Sequence, residues 1–201
     1  MSGTLPAKMV NTILFFLHEA NNRKLGKVKL AKLLFFADLK AYKATNEPIT
    51  GIDYLRMNLG PMPAGFDKVL DSMQRARLIR KGRRNQTPFL PAKPYDLSVF
   101  SETEQKVLRS VAKEFLSCST EMVIYLSHQN YAWIHLLPRS YVSLELASLD
   151  SEEEVKELIA IANKLTATEI IEGSPELLAS FKRGIEDARR GKLYPVDSLF
   201  E

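Results

Sequence analysis

The sequence predicts a mainly α (α+β) fold: a compact multi-helix domain with a small, wing-like β-hairpin and a C-terminal helical appendage. Apolar residues recur at helical spacing over most of the chain, which is the pattern of amphipathic helices. Two capping-box sequences each mark the start of a helix. Between 78 and 97 the pattern changes to short apolar and polar runs around Lys81-Gly82 and Asn85-Gln86, as in a β-hairpin.

Two helices are expected at the start of the chain. The first runs from about Pro6 to Asn21, because proline is tolerated in a first turn and Asn-Asn closes the segment. The second runs from about Lys27 to Thr45 and is apolar on nearly every side, which predicts a central helix packed from several directions. Pro48 follows, and the residue before a proline leaves the helical region.

A Gly-Pro-rich stretch from Ile49 to Gly65 comes next. Its glycines and prolines allow a short extended piece but no long element. The segment Gly60-Pro61-Met62-Pro63 is not a phosphate loop, since two of its four residues lack a backbone N–H. We expect a rigid corner that sets the angle of a third helix, from about Ala64 to Ala76.

The second half of the chain is predicted to be helical. Ser101 to Glu104 is a capping box that opens a fourth helix, and a fifth helix covers about Thr120 to His128, before an aromatic loop. A second capping box opens a helix over about 151–171. A last helix follows Pro175, a residue that suits a first helical turn.

Length and composition limit the class of protein. The 201 residues suffice for one domain and an appendage, which we place at 1–145 and 146–201. The single cysteine, Cys118, excludes an intrachain disulfide, and the three histidines are not spaced as a metal-binding motif. No run approaches the roughly 20 apolar residues of a membrane span. We therefore expect a soluble, cytoplasmic, non-enzymatic protein with no metal, cofactor or membrane partner.

The predicted hairpin, 78–97, carries the strongest local charge. Its cations and those just before it are Arg75, Arg77, Arg80, Lys81, Arg83 and Arg84. A helix followed by a basic hairpin is typical of winged-helix DNA-binding domains, in which wing cations contact phosphates. The preceding helix contains Asp67 and Asp71, which suits the reading of base edges poorly. The same cations would equally steer an acidic protein partner or protect an exposed sheet edge.

Ser127 and His128 invite a hydrolase hypothesis, with Cys118 as the other nucleophile. Adjacent residues on a helix diverge by about 100°, and no orienting carboxylate is evident. The sequence favours a structural histidine, hydrogen-bonded near a helix end.

Two further residues have alternative interpretations. Trp133, the one tryptophan, is expected to pack in the core or, second, to enter a partner's pocket. Asp38 lies inside an apolar helix and, if buried, needs a partner such as Lys29 or a backbone group.

The C-terminal run SFKRGIEDARRGKLYPVDSLFE combines a short amphipathic helix, basic on its polar face, with an apolar and acidic tail. Such a tail packs on its own domain or lies in a partner's groove. The sequence leaves both arrangements open.

Between Lys29 and Met73 the sequence resembles the Panacea domain, the SocA-like antitoxin family. The matching segments are KLAKLLFFAD, PITG and LGPMPAGF, and the resemblance continues into YLSHQNYAW, so that it covers about residues 10 to 140. One departure is that LFFAD has phenylalanines where the family often shows tyrosines. The residues that carry the resemblance are Lys29, Leu33, Phe36, Asp38, Gly60, Pro61, Pro63, His128 and Trp133.

The resemblance implies an antitoxin that neutralises, by direct binding, a toxin encoded by a neighbouring gene, with delivery of the toxin to a protease as a further role. Other partner hypotheses are operator DNA, for a winged-helix autoregulator, and a second copy of the chain. The candidate toxin-binding residues are Arg80, Lys81, Arg83, Arg84, Tyr131, Trp133, Phe181, Ile185, Arg189, Arg190, Leu199 and Phe200.

Overall fold

The computed structural model describes residues 5–21, 25–82 and 89–164, which fall into two compact units that divide between Glu152 and Glu153. The predicted mainly α fold is confirmed. The helices are α1 (Ala7–Glu19), α2 (Lys27–Thr45), α3 (Phe66–Arg75), α4 (Glu102–Phe115), α5 (Thr120–His128), α6 (Tyr131–His135), α7 (Leu144–Ser148) and α8 (Glu152–Lys164). The strands are β1 (Tyr54–Met57), β2 (Gly60–Pro63), β3 (Ile79–Lys81) and β4 (Phe89–Pro91).

Helix α2 is the central helix of the first unit, as its apolar surface predicted. Leu30, Leu33 and Leu34 are all fully buried, and the helix packs against α4, β2, α5 and α7. One apolar cluster joins it to α1, α3 and α4, while a second gathers around Phe35 and Tyr54. Because a helix with no solvent-facing stripe can be buried between two clusters, the observed position follows from the composition of α2.

The Gly-Pro corner is more regular than the sequence predicted. Strands β1 and β2 pair in antiparallel fashion, from Tyr54 opposite Pro63 to Met57 opposite Gly60. The other edge of β1 is also used, since the Arg56 N–H donates to the Ser140 carbonyl at 2.9 Å. Prolines suit an edge strand, where a missing N–H costs no ladder bond. The Gly-Pro corner is thus strand β2 of a hairpin, and the other strand, β1, is also hydrogen-bonded to Ser140 on its second edge.

Two local predictions are confirmed in detail. Strands β3 and β4 form the expected hairpin directly after α3. The capping box of α4 is complete: Ser101 Oγ accepts from the Glu104 N–H at 3.2 Å, and the Glu104 carboxylate accepts from the Ser101 N–H at 2.7 Å. These reciprocal bonds satisfy two donors that a helix start leaves unpaired.

One prediction is wrong, one helix was not predicted, and the predictions for the end of the chain are not tested by the described residues. The aromatic loop expected at Tyr131 and Trp133 is wrong, because these residues lie in α6, whose first turn is capped by the Asn130 side chain accepting from the Trp133 N–H at 3.3 Å. Helix α7 was not predicted. The continuation of α8 to Ile171 and the helix after Pro175 lie outside the described residues, and the division between 145 and 146 stays a prediction.

No helix in the described ranges combines the length and the apolar character that crossing a bilayer requires.

Candidate functional site

A stack of three side chains from three elements lies at the centre of the candidate site. The rings of His128, at the end of α5, and Trp133, on α6, are parallel within 5°, with centroids 3.9 Å apart. The guanidinium carbon of Arg56, on β1, lies over the Trp133 ring at 4.5 Å from its centroid. The positive charge of Arg56 is attracted by the electron-rich face of the indole, which stabilises this arrangement.

Hydrogen bonds fix the stack to the β1–β2 hairpin. Arg56 Nε donates to the Trp133 carbonyl at 2.6 Å, and Trp133 Nε1 donates to the Met57 carbonyl at 3.2 Å. The Nε donor of Arg56 and the indole N–H of Trp133 therefore both have acceptors, as part-buried donors require. The short helix α6 is held against β1 by these two bonds.

A buried lysine lies behind the hairpin. Lys32 of α2 is fully buried, and its ammonium donates to the Pro61 carbonyl at 2.5 Å and lies 3.4 Å from Met62 Sδ. A cation in the core is costly unless it finds polar partners, and the Pro61 carbonyl of β2 supplies one. Lys32 thus ties α2 to the strand that carries the Gly-Pro signature.

Gly60 makes this close approach possible. Its φ is +92°, and a Cβ at this position would lie 2.4 Å from Ser127 Oγ and 2.9 Å from Lys32 Cε. Only glycine adopts this backbone conformation at little cost and leaves the space open. Helices α2 and α5 therefore meet β2 at Gly60 without a side chain between them.

The electrostatics of the site are unusual for structural residues. Burial lowers the pKa of Lys32 to about 7. Burial also lowers the pKa of His128, and the charges of Lys32 and Arg56 lower it further. Perturbed titration of neighbouring groups is a feature of functional sites, although structural networks also produce it.

The sequence prediction for His128 is wrong in one respect. No hydrogen bond holds its ring within the described residues: Nε2 is buried without a partner, and stacking on Trp133 positions the ring instead. The neighbouring Ser127 hydroxyl is buried and donates to the Ile124 carbonyl at 2.7 Å. Its proton is directed at its own helix and not at His128, contrary to what a base-assisted nucleophile needs.

Next to the stack lies a cleft of about 430 Å³, which we name the basic cleft. Its lining combines cationic and apolar side chains: Lys27, Val28, Arg56, Met57, Asn58, Leu59, Met62, Pro138 and Arg139. Lys27 also pairs with Asp67 at 2.9 Å, and both of these side chains are partly exposed. The cleft belongs entirely to the first unit.

The residues of the resemblance meet around α2 although they come from distant segments. Lys29 donates to the carbonyls of Leu116 and Cys118, Leu33 is in the core, and Phe36 stacks on Phe115 at 4.4 Å. Gly60, Pro61, Pro63, His128 and Trp133 converge on the candidate site, and both prolines are buried.

Asp38 is held as expected by backbone groups. Its carboxylate accepts from the N–H groups of Ile49 at 2.9 Å and Thr50 at 2.8 Å, from the Thr50 hydroxyl, and from the Tyr54 hydroxyl at 2.7 Å. Burial raises the pKa of Asp38, and the four donors oppose that effect. The carboxylate connects α2 to the start of the β1–β2 hairpin.

The candidate toxin-binding residues fall into separate groups. Arg80 and Lys81 are exposed on β3, a different hairpin from the one that carries Arg56, whereas Tyr131 and Trp133 are half-buried on α6. The other candidates lie outside the described residues: Arg83, Arg84, Phe181, Ile185, Arg189, Arg190, Leu199 and Phe200. Of the described candidates, Trp133 belongs to the stack beside the basic cleft.

Sequence reasoning missed Lys32 and Arg56. A signal existed for Lys32, since a lysine at the centre of a helix that is apolar all round has no solvent-facing stripe to occupy. Arg56 carries no such signal, because its role depends on contact with Trp133, which lies 77 residues later.

The buried lysine predicts a pH dependence of stability. Between pH 7 and 10.5 the unfolded chain holds a proton on Lys32 that the folded protein has lost, so stability rises with pH in this window. From pH 7 to 9 we expect a gain of about 2 kcal/mol in the free energy of unfolding, relative to Lys32→Met at each pH. Urea unfolding followed by Trp133 fluorescence measures it. Lys68→Met, at an exposed position, is the control, and a Lys32→Met curve parallel to wild type would contradict the prediction.

The site thus combines a helical scaffold, an anchored hairpin and a cationic, partly apolar cleft. The chain belongs to the family described as "Antitoxin SocA-like, Panacea domain", whose model matches residues 30–134. The matched region runs from α2 into α6 and contains Lys32, the β1–β2 hairpin and the stack. The chain has no significant match among curated proteins or among solved structures.

Proposed function

We propose that this protein is an antitoxin that neutralises a cognate toxin, encoded by a neighbouring gene, through direct protein–protein binding. Membership of the SocA-like antitoxin family carries the proposal. In this role the fold supplies a rigid frame, and its surface selects the toxin.

Exposed apolar side chains support a binding role. The large apolar residues with substantial exposure in the first unit are Leu59, Met122, Tyr125, Ile134, Leu137 and Tyr141. Tyr125 and Tyr141 are 60% and 65% exposed, and tyrosine is enriched in protein interfaces.

Growth of cells that express the neighbouring gene tests the proposal. We expect that gene alone to arrest growth and co-expression of this protein to restore it. A chain truncated before Ser174 asks whether the C-terminal candidates contribute, because it keeps every described element and removes Phe181 to Glu201. Toxicity that the full-length protein does not relieve would contradict the proposal.

Delivery of the toxin to a protease is the finer version of the same proposal. In that case the half-life of the toxin falls when this protein is present, and the fall requires the protease. A neutralised toxin with an unchanged half-life would restrict the mechanism to binding.

The exposed basic hairpin favours a second candidate function, DNA binding. Arg75 and Arg77 at the end of α3 are exposed, as are Arg80 and Lys81 on β3. Cations on a hairpin that follows a helix are placed as wing residues that contact phosphates. In this role the protein would repress its own operon.

A charge reversal separates the two functions. We expect the variant with glutamate at Arg80, Lys81, Arg83 and Arg84 to associate with the toxin about 10-fold more slowly at low salt, with a smaller difference at high salt, because these cations steer an acidic partner. Binding kinetics with immobilised toxin at two salt concentrations measure this. Unchanged toxin kinetics combined with lost binding of promoter DNA would assign the hairpin to DNA alone.

A further inference from the structure

The basic cleft combines two features that seldom occur together on a surface. Lys27, Arg56 and Arg139 contribute cationic groups to its lining. The ammonium of Lys32 lies behind the wall, 3.4 Å from the sulfur of the lining residue Met62. Among the described residues that line the cleft, none is acidic, and Asp67 pairs with Lys27 at its edge. Every charged side chain that lines the cleft is therefore cationic.

The walls between these cations are apolar. Val28, Met57, Leu59, Met62 and Pro138 line the cleft, and Leu59, at the turn between β1 and β2, is 49% exposed. Methionine adapts its shape to different apolar side chains, which suits a binding surface. An occupant must offer apolar surface as well as negative charge.

Nucleic acid fits this cleft less well than a peptide segment. Nucleic acid is held mainly through its phosphates, and a phosphate backbone offers no apolar surface to Leu59, Met62 and the other apolar side chains of the cleft. A carboxylate beside an apolar side chain satisfies both the cationic groups and the apolar walls.

We propose that the basic cleft receives an acidic and apolar segment of the toxin, with an aliphatic or aromatic side chain against Leu59 and Met62 and a neighbouring carboxylate facing Arg56 and Lys27. This inference rests on the proposed antitoxin function and names the surface that performs it. Binding in the cleft is expected to change the fluorescence of Trp133, the one tryptophan of the chain, because Arg56 both lines the cleft and covers the Trp133 ring.

The test uses two variants that alter the cleft at exposed or partly exposed side chains, Leu59→Asp and Lys27→Glu. Leu59→Asp replaces the apolar contact with a negative charge, and Lys27→Glu reverses the charge that faces the occupant's carboxylate. The matched controls are Leu158→Asp, at an exposed leucine of α8, and Lys106→Glu, on the exposed face of α4. Urea unfolding of all four variants is measured first, and the binding comparison uses the variants whose stability matches that of the wild type.

With purified toxin we expect each cleft variant to bind about 10- to 100-fold more weakly, and each control to stay within about 2-fold, since one desolvated contact is worth a few kcal/mol. Equal binding by wild type and both cleft variants would overturn the inference while leaving the antitoxin function intact. Loss of binding in Leu158→Asp alone would also overturn it and assign the contact to α8.

A toxin-independent measurement keeps the inference testable if the antitoxin function fails. Short fluorescent peptides, one acidic and apolar, one acidic and polar, and one basic and apolar, are titrated beside a duplex oligonucleotide while Trp133 emission is recorded. We expect only the acidic, apolar peptide to bind with an emission change, and Leu59→Asp and Lys27→Glu to abolish both. Binding of the oligonucleotide that those variants weaken, or of no peptide at all, would overturn the inference.

Discussion

Replacing Asp38 with alanine is expected to destabilise the first unit more than any other single truncation. The carboxylate accepts four hydrogen bonds in a fully buried position, from Ile49, Thr50 and Tyr54. Alanine leaves those donors without an acceptor, and breaking a buried charged network costs about 3–5 kcal/mol. Because domains of this size have stabilities of about 5–15 kcal/mol, Asp38→Ala is expected to lose much of the folding free energy.

Two milder substitutions provide the controls for Asp38→Ala. Asp38→Asn keeps one oxygen for the two backbone N–H groups, and Tyr54→Phe removes one of the four donors, so each is expected to cost about 1–2 kcal/mol. Urea unfolding followed by Trp133 fluorescence reports on the first unit, which contains this tryptophan. If Asp38→Ala unfolds at the same urea concentration as Tyr54→Phe, the network does not hold α2 to the hairpin as described.

Gly60→Ala is expected to cost about 3 kcal/mol, the second large effect. The φ of +92° strains any L side chain, and the added Cβ would also press on Ser127 Oγ at 2.4 Å and Lys32 Cε at 2.9 Å. Neither neighbour moves away easily, because both side chains are buried and hydrogen-bonded. The substitution therefore forces β2 away from α2 and α5.

Two other glycines separate the causes. Gly51→Ala has a φ of +66° and nothing within 4 Å of the new Cβ, so it measures backbone strain alone, at about 1 kcal/mol. Gly26→Ala has neither problem and is expected to cost only about 0.5–1 kcal/mol, because alanine is less favourable than glycine at the N-cap of α2. A cost for Gly60→Ala no larger than that for Gly51→Ala would show that the helices do not press on β2 at Gly60.

Asp38 and Gly60 also show how this scaffold relates to binding. Neither lines the basic cleft, yet both fix the β1–β2 hairpin that carries Arg56, Met57, Leu59 and Met62 into it. Their loss weakens binding only through the population of the folded state. A variant that retains its fold and loses the toxin must therefore alter the cleft itself or another contact surface.

Local signals explain which elements the sequence predicted well. Helix α2 is found at its predicted bounds because Gly26 precedes it and Asn46 ends it in a left-handed conformation, with a φ of 60°. The start of α4 follows from the Ser101–Glu104 box. In each case the residues that decide the boundary are neighbours in sequence.

Long-range contacts explain the misses. Helices α6 and α7 have five residues each, too few for a hydrophobic period, and α6 is held by bonds from Arg56 and Met57. Three of the four residues of strand β2 are proline or glycine, and only its pairing with β1 makes it a strand. The stack and the cleft need residues from both halves of the first unit, and the Lys32 contact joins residues 29 positions apart, which the sequence pattern does not place together.

Titration of the purified protein with purified toxin in a calorimeter, followed by size-exclusion chromatography of the mixture, tests the central claim most directly. The antitoxin proposal predicts saturable heat with a fixed stoichiometry and a single co-eluting peak that contains both chains. If cells are rescued but the purified proteins give no heat and separate peaks, neutralisation by direct binding is contradicted. Repression of the operon through the basic hairpin would then be the leading hypothesis.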